Sequence, residues 1–229
     1  TDAVLVSQLT IDGALITGLG PDLNVSTTEH LIYNGQGGDD AVTYETPATA
    51  DQVIFTPGAL PDQASIAARA DIFGAGTSLL GLDYGNLGSD GNLTLANAGG
   101  NPNDLLELNG TANDDVFDLT ATTVQISATT FGFPRTVVIN TTGIARPELR
   151  GLDGDDVFNV PGDNGYIGGV GIEGGDPSAS DVLNVQGAGA PINLDLAAET
   201  IAELGLNPID YSGIEVVNVD TAGGDLNLA

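Results

Sequence analysis

Apolar and polar positions alternate with a period of two along much of this chain. The pattern is clear at residues 53–56, 123–127, 136–140 and 214–219. That period predicts half-buried β-strands, because successive side chains of a strand point to opposite faces. Three short apolar pieces, residues 3–6, 9–11 and 14–19, open the chain, punctuated by Gly13, Gly18, Gly20 and Pro21. They read as two or three strands, placed at a sheet edge, in an N-terminal segment 1–29 that is a candidate docking segment. Two runs carry helix signals instead. Residues 61–73 open on Pro61 and Asp62 and stop at Gly74, and residues 197–204 stop at Gly205. Each predicts a turn or two of helix, or else a loop laid over the sheets.

One unit organises the rest. In Leu149-Arg150-Gly151-Leu152-Asp153-Gly154-Asp155-Asp156-Val157-Phe158-Asn159-Val160 an apolar segment runs into an acidic glycine turn and then into a β-rich run. Gly151 and Gly154 are expected at positive φ, where the chain reverses. Full copies lie at residues 31–44 and 106–119, a reduced copy at 88–95, an interrupted copy at 171–185 and a last one at 217–228. The final aspartates Asp40, Asp90, Asp115, Asp156, Asp181 and Asp225 are spaced 50, 25, 41, 25 and 44 residues apart. Alternating long and short steps suggest a degenerate repeat in which every second coil carries an excursion. Such self-similarity argues for a solenoid whose coils bury one another's faces.

Charge narrows the partners. With 32 acidic and 4 basic residues the formal net charge is −28, and lysine is absent. Such a chain repels nucleic acid and anionic membranes and attracts cations. A hydrophobic content of 41% is too high for a disordered acidic tail. There is no cysteine for disulfides or thiolate metal sites. No apolar run approaches the length of a membrane helix, and no signal peptide is visible. The first residue is Thr1 rather than Met, which points to a processed or excerpted segment. The composition suits an extracellular or cell-surface protein, with an acidic cytosolic protein of a halophile as the alternative.

The unit resembles the calcium-binding nonapeptide of repeats-in-toxin (hemolysin-type) proteins, Gly-Gly-x-Gly-x-Asp-x-apolar-x. Gly151, Gly154, Asp156 and Phe158 match its first, fourth, sixth and eighth positions, as do Gly35, Gly38, Asp40 and Val42. Gly110, Asp115 and Phe117 match as well, with Asn113 in the fourth place. The resemblance implies a parallel β-roll with calcium between acidic turns, and calcium accepts the carboxylate and carbonyl oxygens such turns offer. Candidate metal ligands are Asp39, Asp40, Asp114, Asp115, Asp153, Asp155, Asp156, Asp176 and Asp181. The copies here are isolated rather than tandem. The competing expectation is that the aspartates bond to turn amides and hold no ion.

Catalytic chemistry is scarce. His30 is the only histidine, and no Gly-x-Ser-x-Gly nucleophile motif accompanies it. Arg146 and Arg150 flank an acidic turn and read as local charge compensation. A glycosidase needs only a unique carboxylate pair, whereas the aspartate pairs here repeat. The sequence therefore predicts an all-β fold, an irregular right-handed parallel β-helix or β-roll over residues 30–229. Two β-sandwich domains meeting near residues 99–103 are the alternative. The expected function is non-enzymatic: a structural module of a surface layer, adhesin or filament. Its partners would be other copies head to tail or flanking repeats. The alternative is a carbohydrate-binding or polysaccharide-degrading domain.

Overall fold

The computed structural model describes residues 2–10, 13–130, 133–177 and 180–229. Ile11, placed in the second apolar piece, and Ser178 and Ala179 of the interrupted repeat lie outside the described residues. The chain is all-β, with 57% strand and no helix among the described residues, and its sheets are not closed. Two compact units form: residues Thr1–Glu107 with Val137–Ala145, and Leu108–Thr136 with Arg146–Ala229.

In the second unit the strands Asp115–Leu119, Val157–Pro161, Val182–Gln186 and Val216–Asp220 stack in parallel and in register. Phe117, Phe158, Leu183 and Val217 fall in one column, and Asp118, Asn159, Asn184 and Asn218 in the next. Alternation sends the first column inward. Phe117, Phe158 and Leu183 are fully buried, and the two rings stack at 4.9 Å. A second layer stacks Arg146–Gly154, Val170–Pro177 and Ile209–Ser212 in parallel. It continues through the antiparallel pair Thr200–Glu203 and Ile192–Asp195 to Leu226–Leu228.

In the first unit Ala3–Thr10, Ala41–Thr46 and Asn92–Asn97 are parallel neighbours. Ala3–Thr10 also pairs with Gly13–Thr17, which pairs with Leu23–Ser26, both antiparallel. Thus, of residues 3–6, expected at an edge, Leu5 and Val6 are paired on both sides, and Val4 and Val6 are buried. The edge belongs to Leu23–Ser26. The other layer runs Gln52–Pro57, Ala64–Ala70, Gly81–Gly85 and His30–Asn34.

Both helix expectations are corrected. Within residues 61–73 the chain forms the strand Ala64–Ala70, burying Ala64, Ile66, Ala68 and Ala70 and turning Ser65, Ala67 and Arg69 outward. Its alanines have high helix propensity, but the two-residue alternation against Gln52–Pro57 overrides it. Within residues 197–204 the strand Thr200–Glu203 buries Ile201 and Glu203. The Glu203 carboxylate accepts the Ala188 and Ala190 N–H groups at 2.9 and 2.7 Å, which ties the strand to a neighbouring loop.

Candidate functional site

The repeated acidic turns form a column. Asp115 opens its strand, and Asp156, Asp181 and Glu215 each precede the residue that pairs in register with Val116, Val157 or Val182. Asp156 Oδ1 accepts the Asp115 N–H at 2.7 Å, Asp181 Oδ1 the Asp156 N–H at 2.8 Å, and Glu215 Oε2 the Asp181 N–H at 2.7 Å. Each acid therefore caps the backbone of the rung before it. The fourth place belongs to Glu215, not to Asp225 as the spacing suggested. Asp225 lies at the other turn, where its carbonyl accepts the Ile192 N–H.

The glycine that opens each unit has a steric task. A Cβ on Gly151 would lie 2.0 Å from Asp156 Oδ2 and 2.4 Å from the Gly174 carbonyl oxygen. On Gly174 it would lie 2.4 Å from Asp181 Oδ2 and 2.0 Å from the Gly213 oxygen; on Gly110, 2.8 Å from both Asp115 Oδ2 and the Gly151 oxygen. The carboxylate folds back onto its own glycine while the next rung's carbonyl presses from the other side. Gly151 is not at positive φ, contrary to expectation; that conformation falls on Leu152 at 81° and Gly154 at 131°. In the first copy it falls on Gln36, Gly37 and Asp39, and Gly38 is spared.

Burial loads this column. Asp115, Asp156 and Asp181 are at most 1% exposed. Asp156 Oδ2 and Asp181 Oδ2 have no hydrogen-bond partner among the described residues. Burial, and then the charges of Asp115, Asp181 and Asp114, push the Asp156 carboxyl up to about 7. Burial and the Glu215 and Asp155 charges also raise Asp181.

The nine predicted ligands divide by position. Asp115, Asp156 and Asp181 belong to the buried column, and Asp40 is its counterpart in the first unit, accepting the Asp2 N–H at 2.7 Å and the Tyr33 hydroxyl at 3.1 Å. Asp114, Asp153, Asp155 and Asp176 are exposed. Asp114 Oδ1 accepts the Asp155 N–H at 2.9 Å, and Asp39 Oδ1 the Asp90 N–H at 3.1 Å. Among the described residues no group of three or more His, Asp or Glu side chains could hold a metal ion. The buried carboxylates point along the stack toward backbone donors instead of converging on one point.

Several polar features escaped the sequence reading. Asn159 donates to Asp118 at 2.7 Å, Asn184 to Asn159 at 2.9 Å and Asn218 to Asn184 at 2.9 Å, an amide ladder on the outer face of the parallel layer. Its signal was present in the triads Phe117-Asp118-Leu119, Phe158-Asn159-Val160, Leu183-Asn184-Val185 and Val217-Asn218-Val219. Asp51 and Asp104 form a second buried carboxylate pair, Asp104 Oδ1 accepting the Asp51 N–H at 3.1 Å. Burial and the Asp51 charge push Asp104 up to about 6. His30 is exposed and sits 2.9 Å from Asp83. Arg150 pairs with Glu173 of the adjacent strand at 3.2 Å, and Arg146 reaches past that strand to Asp210 at 3.0 Å, so both guanidiniums face carboxylates of the same layer. No protein family, curated protein or solved structure matches this chain.

Proposed function

We propose that this chain is a structural module, an irregular right-handed parallel β-helix or β-roll that builds an extracellular surface layer, adhesin or filament. One observation carries the reading: the repeated polar residues serve the stack itself. The column Asp115–Asp156–Asp181–Glu215 caps backbone N–H groups, and the amide column Asp118–Asn159–Asn184–Asn218 bonds rung to rung. A catalytic pair is set apart from its surroundings by geometry, whereas these groups repeat and are mutually engaged. The resemblance to repeats-in-toxin turns supports the same reading. Calcium, on this view, acts on the exposed turn carboxylates Asp39, Asp114, Asp153, Asp155 and Asp176, offsetting part of the −28 charge. Light scattering and negative-stain electron microscopy over a concentration series test it. Linear particles are the expected result, and a chain that stays monomeric at high concentration with calcium present sinks the claim.

A trough of about 700 Å³ favours the second reading, a carbohydrate-binding domain. Asp118, Asn159, Asn184, Gln186 and Asn218 line it beside Leu119 and Val185. Amide and carboxylate groups over an aliphatic floor suit sugar hydroxyls. A polysaccharide panel in a binding assay separates the two readings.

A further inference from the structure

Each unit leaves one two-strand rung open. In the second unit it is Val216–Asp220 with Leu226–Leu228, joined by residues 221–225; in the first it is Leu23–Ser26 with His30–Asn34, joined by residues 27–29. All four strands sit at the ends of their sheets, with a strand neighbour on one side only.

The second unit's open rung continues columns that are closed one rung earlier. Val217 and Val219 pair with Leu183 and Val185, and Leu226 and Leu228 with Ile192 and Leu194. The inner four are at most 7% exposed, whereas Leu226 is 49% and Leu228 68% exposed. The amide ladder reaches the same edge, where Asn218 donates inward to Asn184 and its own oxygen is the next acceptor in line. A strand that continued both columns at this edge would carry a polar residue able to reach the Asn218 amide, flanked by two apolar residues that face inward, as the apolar–Asn–apolar triads do.

The first unit's open rung carries that triad. Leu23-Asn24-Val25 has Leu23 and Val25 opposite the buried Ile16 and Ala14, so both face inward, and Asn24 faces out and is exposed. Leu23 is 56% exposed. The triad reads alike in both chain directions, so Asn24 opposite Asn218 sets the register whichever way the strands run.

We infer that the open rung Val216–Asp220 docks the open rung Leu23–Ser26 of a second copy of this chain, Asn24 extending the amide ladder from Asn218. The joint repeats contacts already made inside the second unit: backbone pairing, an Asn–Asn bond, and Leu23 and Val25 laid on Val217 and Val219. Because the contact is head to tail it propagates, each copy offering one rung of each kind. This rests on the structural reading proposed above and names its interface.

The chain has no cysteine, so engineered thiols report without background. N24C on one chain is mixed with N218C on a chain lengthened by a tag, and the mixture is oxidised mildly. Facing residues on paired strands lie within disulfide reach. The expected product is the N24C–N218C heterodimer, in excess of both homodimers. It should also exceed the yield of N24C with T122C, an exposed site away from the edge. Circular dichroism and melting of each variant verify that the fold is kept. Predominance of homodimers shows that each edge pairs with itself, and overturns the joint. A heterodimer yield no higher than the T122C control also overturns it. If the parent chain still assembles by light scattering in either case, the structural-module reading survives without this joint. If it does not assemble, both fall.

Discussion

Asp40 in the first unit and Asp156 in the second are the same residue of the same motif, and their surroundings differ. Both fold back against the glycine five positions earlier, Gly35 or Gly151, and both accept a backbone N–H at 2.7 Å from the start of a neighbouring segment, Asp2 or Asp115. The second oxygen of Asp40 takes the Tyr33 hydroxyl. Gly91 stacks on its far side, since Asn92 pairs with Ala41. The second oxygen of Asp156 has no partner among the described residues, and acids stand on both sides of it, Asp115 and Asp181. One motif therefore serves as a hydrogen-bonded turn lock in one place and as a charge-loaded column in the other. The difference lies in what the neighbouring rungs contribute.

The largest effect expected is steric and common to both places. Gly151→Val and Gly35→Val should each destabilise by on the order of 4 kcal/mol, because the added carbons meet backbone carbonyl as well as carboxylate. Gly37→Ala, at φ 82° but in open space, should cost only about 1 kcal/mol of left-handed strain. Urea unfolding measures all three, and equal midpoints would show that the carboxylate does not fold onto its glycine. Gly154→Val should lie near the upper end, since its Cβ would sit 2.6 Å from the Asn113 backbone carbon at φ 131°.

Next comes the core beneath the charge-loaded column. Phe158→Ala removes a fully buried ring stacked on Phe117 and should cost about 3–5 kcal/mol. A loss well under that in the same unfolding measurement would mean that the rungs are not packed in this register.

The two aspartates themselves sharpen the comparison further. The Asp156 carboxyl at about 7 lies above its ordinary 3.8, so the folded state holds the proton more tightly than the unfolded chain. This contribution is full below the unfolded value and is lost as pH rises through about 7. The melting temperature should therefore fall between weakly acidic and weakly alkaline pH. Asp156→Asn keeps an acceptor for the Asp115 N–H and removes the charge, so it should raise the alkaline melting temperature and flatten the dependence. Asp40→Asn should instead lower stability by about 1 kcal/mol, through the weakened Tyr33 bond. An identical pH profile for the parent and Asp156→Asn would refute the charge-loaded column.

The smallest effect concerns the exposed carboxylates. Calcium should raise the melting temperature slightly more than sodium at equal ionic strength, by an amount worth under about 1 kcal/mol. Equal responses would leave screening as the only cation effect.

What the chain settled locally was readable from it. Strands follow from two-residue alternation, and the glycine–aspartate unit marks the acidic turns of Asp40, Asp115, Asp156 and Asp181. The residues of the amide ladder were also in view, as apolar–Asn–apolar triads, although a triad alone does not say that its amide meets another. The tertiary structure decided the rest, because it depends on which strand lies beside which. Rungs 25 to 41 residues apart come into register, and only then does Asp156 point at the Asp115 N–H. Only then does Gly151 lose the room for a side chain, and Glu215 take the place expected of Asp225. The alanine run at residues 64–70 shows the same division: its composition favours a helix, and pairing with Gln52–Pro57 makes it a strand. Local preference is worth a few tenths of a kcal/mol per residue, while a buried, fully paired strand face gains several times that, so the neighbour prevails.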